Sequence, residues 1–330
     1  MSIDYPTLPD LDEDYADYIL QLNQDDENIR FVAIMNIADE EQPELLAWLH
    51  HAAIHDPASK VRELAAARLE GWEDTASLHT LAQALTDSHH NVRLAAAQSL
   101  SEIKKAESAE HLATYLQHQD DFVIASILRA IRELRAEQLF TDILQHVQHA
   151  NPLVRKEAVS TLSWLQKQQG LVALAEIAKN DHDAEIRRIA TGGLGASQSL
   201  SPEILAALES SLTAKEWQLR VEAALTIGKL KAVELENILL QQLDDSYWQV
   251  RIAVTRSLGL LKAKSAITKL QENFQHDISN LRKEVAIALG EIGGEQAQNI
   301  LLQHAEDPDP EVRKSIRIGL ALIQEKLNAA

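Results

Sequence analysis

Along the chain, apolar residues return at intervals of three and four, as a helix with one buried stripe requires. In VRLAAAQSLSEI (92–103), counting Val92 as zero, apolar or small residues fall at 0, +4, +8 and +11: Val92, Ala96, Leu100 and Ile103. A second helical run precedes such stretches, as in PELLAWLHHAAI (43–54), TASLHTLAQAL (75–85) and PEILAALESSL (202–212). Thr75, Ser201 and Ser265 stand where N-caps belong, and Pro202 suits a first helical turn. No stretch keeps the period of two that a half-buried strand would show, and no Asn-Gly hairpin turn occurs. The pattern predicts an all-α chain of paired helices.

The pairs repeat. An apolar residue followed by arginine recurs at Ile29-Arg30, Val61-Arg62, Val92-Arg93, Val154-Arg155, Ile186-Arg187, Leu219-Arg220, Val250-Arg251, Leu281-Arg282 and Val312-Arg313. The arginines are separated by 32, 31, 62, 32, 33, 31, 31 and 31 residues. Val123-Ile124 fills the double step as a degenerate copy, so about ten units of one period span the chain. The expectation is a single elongated array over 1–330, with an acidic cap at 1–23, repeats over 24–322 and a fraying end at 323–330.

A turn aspartate precedes most markers: Asp56, Asp87, Asp181, Asp245, Asp277 and Asp307. Its carboxylate can accept the backbone N–H groups that begin the second helix. The arginine falls in that helix's first turn, where the dipole disfavours a cation. Placed there so regularly, Arg62, Arg93, Arg155, Arg187, Arg220, Arg251, Arg282 and Arg313 need a partner. The turn aspartate of the same or a neighbouring unit would make a structural ladder of charge-assisted bonds.

Through phrases such as DSHHNVRLAA (87–96) and DPDPEVRKSIRIGL (307–320), the chain resembles the HEAT-repeat superfamily, most closely its short phycobilisome-lyase-type repeats. The resemblance covers almost the whole chain. It implies a right-handed α-solenoid with first helices on the convex side and second helices on the concave side. Members of that superfamily include bilin lyases, scaffolds, transport receptors, DNA glycosylases and a di-iron hydroxylase, so the fold alone decides little chemistry.

Composition narrows the choice. Hydrophobic residues make up 45% of the chain but aromatics only 4%, so the core must be mainly Leu, Ile, Val and Ala. With no cysteine there are no disulfides, thiolate metal sites or cysteine nucleophiles. The formal charge of -19 opposes general attraction to nucleic acid or anionic lipid, and residues 1–30 alone contribute -8. No apolar run would span a bilayer, and the start is acidic where a secretory signal would be basic and then apolar. A cytoplasmic protein is the expectation.

Thirteen histidines invite a metal reading, but His51/His55 and His146/His149 lack an acidic ligand on the same face, and no His-Glu dipeptide occurs. That departs from the di-iron members of the superfamily. There is no G-x-S-x-G elbow and no P-loop. The glycine clusters TGGLGA (191–196) and GEIGGE (290–295) fit helix ends or close helix approach. No cofactor is expected.

Two surfaces stand out. Positions +2, +6, +9 and +13 point away from the core stripe and carry Arg129, Arg132, Lys156 and Arg188, with Arg135 one residue short of +13. These predict a basic patch on the concave face, suited to an acidic segment of a protein partner or an anion; the alternative is an ordinary solvated face balanced by Glu133, Glu137 and Glu157. Trp217 and Trp248 occupy the same position in consecutive units, with Tyr247 adjoining. They predict side-by-side indoles on the turn ridge, able to anchor a partner, or else rings that fold over the adjacent unit and cover the stack. Trp48, Trp72 and Trp164 read as core. The function expected first is a non-catalytic scaffold, adaptor or assembly factor. The alternative is a bilin-lyase-like enzyme or chaperone acting on a tetrapyrrole, and the third is a DNA glycosylase.

Overall fold

The computed structural model describes residues 4–8 and 15–329. Asp10, Asp12, Glu13 and Asp14 of the expected acidic cap lie outside them. The described residues form twenty α-helices in ten pairs and no strand, an α-solenoid. The chain divides into two units, Met1–Leu165 and Gln166–Ala330. In the first, α1 (Ala16–Leu22) pairs with α2 (Glu27–Asp39), α3 (Leu46–His55) with α4 (Ser59–Arg68) and α5 (Thr75–Ala84) with α6 (His90–Ser101). The pairs α7 (Ser108–Leu112) with α8 (Asp121–Ile131) and α9 (Phe140–His146) with α10 (Pro152–Leu165) complete it. Its second helices pack in sequence, α2 on α4, α4 on α6, α6 on α8 and α8 on α10.

The second unit pairs α11 (Leu171–Asn180) with α12 (Ala184–Gly193), α13 (Pro202–Leu212) with α14 (Trp217–Leu230) and α15 (Glu236–Gln242) with α16 (Trp248–Leu261). Then come α17 (Ile267–Asn273) with α18 (Ser279–Ile292) and α19 (Glu295–Gln303) with α20 (Pro310–Ala329). Here α12, α14, α16, α18 and α20 pack one on the next. The core stripe is where the spacing placed it: Val92, Ala96, Leu100 and Ile103 are all buried.

The turn ladder joins neighbouring pairs. Seven of the arginines (Arg30, Arg62, Arg155, Arg187, Arg220, Arg282 and Arg313) clamp their own turn with Nη1, which donates to the carbonyl six residues earlier, as Arg62 does to Asp56 (2.9 Å) and Arg220 to Ala214 (2.8 Å). In four of these, Nε and Nη2 then grip the carboxylate of the following unit. The pairs are Arg30–Asp56 (2.8 and 2.9 Å), Arg62–Asp87 (2.6 and 2.9 Å), Arg220–Asp245 (2.7 and 2.9 Å) and Arg282–Asp307 (2.8 and 3.0 Å). The two-pronged geometry matches a planar guanidinium to a carboxylate. Each aspartate also accepts the N–H two residues on, as Asp87 does from His89 at 2.7 Å, so it closes the turn rather than capping the helix directly.

Where the aspartate is missing, the turn survives and the ladder adapts. His118, His149 and His276 occupy the turn position, and their Nδ1 atoms accept the same N–H at 3.0, 3.1 and 3.1 Å. The ninth turn therefore uses His276, and Asp277 is displaced by one residue from the place assigned to it. Arg93 reaches Asp120 instead (2.7 Å), and Arg187 takes Glu216 (3.0 Å) because Ala214 holds the turn position. Arg155 and Arg313 make the clamp to their own turns, to His149 O (2.9 Å) and Asp307 O (2.7 Å). Ile124, which replaces the fourth arginine, is buried in α8, whose apolar run is covered almost all round. Core packing explains that break.

Burial raises the carboxyls of Asp87, Asp245 and Asp307, but the arginine bonds and turn N–H groups outweigh it and hold all three below the usual carboxylate range. A folded value below the unfolded one adds stability that is present above about pH 4 and lost as pH falls through the folded values. Melting temperatures measured across acidic pH are thus expected to hold to about pH 4 and fall steeply below it. A midpoint that rises on acidification would contradict this role.

Helix starts follow the best acceptor available. Ser201 caps α13 through Ile204 N–H (3.4 Å). At α5 the cap is Asp74, which accepts from Ser77 N–H (3.0 Å), so Thr75 is already helical. Ser265 lies in a short 3-10 turn and donates to Glu236. At the far end, α20 continues through the segment expected to fray: Ile323 is buried, and Lys326 Nζ bonds the carbonyls of Gly290 and Glu291 (3.0 and 2.6 Å). At the near end, extended residues 4–8 bury Tyr5, whose hydroxyl donates to Asp56 (2.7 Å), and Pro6 O accepts from Trp48 Nε1 (2.8 Å).

Candidate functional site

In the first unit, a groove of about 570 Å3 runs over α6 and α8. Its floor is small, with Ala95, Ala97, Ala125 and Ser126, and its rims are Leu94, Gln98, Phe122, Arg129 and Leu153, with Glu63 at the side away from Arg129's helix. Alanine and serine beside longer rim side chains leave a trough that no described residue fills. Leu94 (46% exposed) and Leu153 (39% exposed) give it an apolar lip on an otherwise polar face. The signal for Leu94 was available, because it is a large apolar residue at +2, one of the positions that point away from the core stripe. Phe122 and Leu153 lie outside the four offsets and were missed.

The basic patch is partly neutralised. Arg129 donates to the buried carboxylate of Glu157 (2.7 and 3.2 Å), and Arg132 lies 3.7 Å from its other oxygen. Two cations thus share one anion, and exposed Lys156 adds to the surplus. Arg135 falls past the end of α8 in a left-handed conformation (φ 51°) and lies 5.9 Å from the Trp164 ring centroid, so it does not continue the helical stripe. In the second unit Arg188 is held by Glu185 (2.8 Å) and Glu222 (2.9 Å). The same device ties Arg256 to Glu284 (2.8 Å). These cross-helix pairs form a second set of bonds between successive second helices, and Glu157 is one of the balancing acids the sequence offered.

On the turn ridge of the second unit, Trp217 stacks on Tyr247, with centroids 5.8 Å apart and planes 16° apart. The expected pairing of two indoles is replaced by indole on phenol, because Tyr247 is the N-cap residue of α16 and Trp248 the next. Arg220, locked by Asp245, lies 5.6 Å from the Tyr247 centroid. Tyr247 (44%) and Trp248 (37%) remain exposed. Of the other tryptophans only Trp48 is core; Trp72 is half-buried, and Trp164 is exposed beneath Arg135. Val221, Leu225, Ile252 and Ile287 are half-buried, whereas Ile318 on α20 is exposed.

Chemistry is sparse elsewhere. His50 Nε2 meets Ser77 Oγ at 2.8 Å and that hydroxyl donates to Asp74 at 2.6 Å, but Ser77 is fully buried and serves the cap of α5. Among the described residues, no three His, Asp or Glu side chains gather as a metal site would need, and no helix is long and apolar enough to cross a membrane.

No relative is found among curated proteins. In solved structures, an engineered protein shares 17% identity over 94% of this chain and 99% of its own, with a TM-score of 0.56. Kap95p, solved bound to RanGDP, shares 14% identity over 94% of this chain and 49% of its own, with a TM-score of 0.62. Importin beta shares 15% over 93% and 50%, at 0.59. The chain therefore spans about half the length of these two proteins. The family model described as HEAT repeats matches residues 46–132, 114–195 and 235–321, most of the sequence, and so the chain belongs to the HEAT-repeat family.

Proposed function

We propose that this chain is a non-catalytic protein-interaction scaffold or assembly factor working in the cytoplasm, and that the groove over α6 and α8 receives a segment of its partner. The observation that carries the reading is the groove's composition: a trough of small residues, lipped by exposed Leu94 and Leu153, beside the surplus charge of Arg129 and Arg132. An apolar anchor flanked by acidic residues would be complementary in both respects. Kap95p, similar in fold, is a protein solved with RanGDP and with Nup1, which is in keeping with a binding role for such a stack.

The test is a Leu94→Asp, Leu153→Asp double variant compared with the parent by quantitative copurification. Both residues are surface-exposed, so the melt should stay within about 0.5 kcal/mol of the parent. Partner recovery should fall by about tenfold or more, as loss of a central anchor predicts. Unchanged recovery would remove the groove from the reading. Visible absorbance retained after incubation with a bilin would instead favour the lyase-type reading that the short repeat suggests.

A further inference from the structure

Arg30, Arg62, Arg93, Arg187, Arg220 and Arg282 each hold a carboxylate from the following unit. Arg251 is followed by a unit and holds none among the described residues. Its ladder position, 25 residues on, is His276, whose Nδ1 is committed to Ile278 N–H. With no carboxylate ahead, the Arg251 side chain turns back, and its Nε donates to Asp245 O at 2.6 Å. Arg251 contributes to holding Asp245 ionised, but both oxygens of that carboxylate are already engaged by Arg220 and one also by Tyr247 N–H.

The other departures from the ladder are compensated. At the fourth unit the arginine (Ile124) and the following aspartate (His149) are both replaced, and no charge is orphaned. Asp120 and Glu216 step in for Arg93 and Arg187. At Arg251 only the anion is lost. The half-buried guanidinium keeps free donors beside the exposed aromatic ridge: Trp248 lies three residues earlier on α16, on the same face, and Tyr247 precedes it in a stack with Trp217.

We propose that Arg251 and this ridge form a docking site for an acidic segment of a protein partner. The partner's Asp or Glu bonds the Nη1 and Nη2 donors that Arg251 leaves unused while its Nε holds Asp245 O, and an apolar neighbour packs on Trp248 and the Trp217–Tyr247 stack. The site rests on the scaffold reading and gives it a partner chemistry in the second unit. Charge complementarity identifies the occupant, since four equivalent arginines in this chain show what the fork accepts. The rings supply contact area at low entropic cost and shield the ion pair from water.

The experiment titrates the full ¹⁵N-labelled chain with the blocked peptide Gly-Phe-Asp-Phe-Gly and its Asn twin, following the five indole N–H signals. The expected result is a saturable shift of the Trp248 and Trp217 signals with the Asp peptide, and binding about tenfold weaker for the Asn peptide, as loss of a charge-assisted pair predicts. Arg251→Gln should abolish that preference while the chain stays folded, its melt lowered only slightly by loss of the bond to Asp245 O. His276→Asp is the decisive variant: it restores the internal carboxylate, so it should raise the melting temperature and reduce Asp-peptide affinity to that of the Asn peptide. Equal binding of the two peptides, binding of neither, or full Asp-peptide affinity in His276→Asp would each overturn the proposal. The Leu94→Asp, Leu153→Asp variant should leave this titration unaltered, so loss at the groove and loss at the ridge are read separately.

Discussion

Replacing Arg30 with leucine is expected to destabilise the first unit by about 3–5 kcal/mol, the cost of stripping a buried carboxylate of the cation paired with it. Asp56 is fully buried and takes four bonds: from Arg30 Nε and Nη2, Tyr5 OH and Ala58 N–H. Without the guanidinium, the charge would be left with a phenol and an amide. Burial first, and then the Asp56 charge, push the Tyr5 phenol up, so it remains a donor and cannot neutralise the site. The loss should reach beyond one pair, because Tyr5 anchors the extended segment and Arg30 Nη1 clamps its own turn at Gln24 O and Asp25 O (2.9 and 3.0 Å). Urea titration followed by tryptophan fluorescence measures it, with Trp48 reporting the affected core. The double variant Arg30→Leu, Asp56→Asn should recover much of the loss, since the amide oxygen still accepts the Ala58 N–H and no charge is stranded. A single variant as stable as the parent would show the ladder to be ornamental.

Gly290→Val is the second large effect, at about 3 kcal/mol, the upper end of ordinary overpacking. A Cβ at Gly290 would stand 2.5 Å from Gly319 Cα and 2.9 Å from its carbonyl oxygen, both backbone atoms. Nothing there can swing aside, so α18 and α20 must separate along their length. The contact belongs to a series: a Cβ at Gly228 would meet Ser257 Cα at 2.8 Å, and one at Gly259 would meet Ala288 Cα at 2.9 Å. Gly192→Ala is the contrast, because its Cβ would meet only the Glu222 side chain. There alanine's better helix propensity, about 1 kcal/mol, should roughly balance the displacement. Similar losses in both variants would count against close backbone approach as the reason for glycine at 290.

The two glycine clusters illustrate how far a sequence can be read. Their residue types allowed either helix ends or close approach, and the chain uses both: Gly293 and Gly294 have φ of 77° and 90°, while Gly290 lies against Gly319. The ridge shows the same limit. A period of about one unit placed Trp217 and Trp248 in equivalent turns, but a one-residue offset brought Tyr247, not Trp248, onto the first indole. The basic patch was legible as a row of cations, yet Glu157, three residues past its own marker, claims two of them from across the helix interface.

What the sequence determined by itself is what repeats: helix type, pairing, the core stripe and the ladder positions. Each follows from local periodicity or from an offset that recurs often enough to be counted. What only the tertiary structure decided is which partner each charge meets, because a guanidinium reaches across a unit boundary to residues 25 to 29 positions away and accepts whichever carboxylate the neighbouring turn presents. Arg251, alike in sequence to its fellows, becomes different only when His276 is seen in the place of an acid.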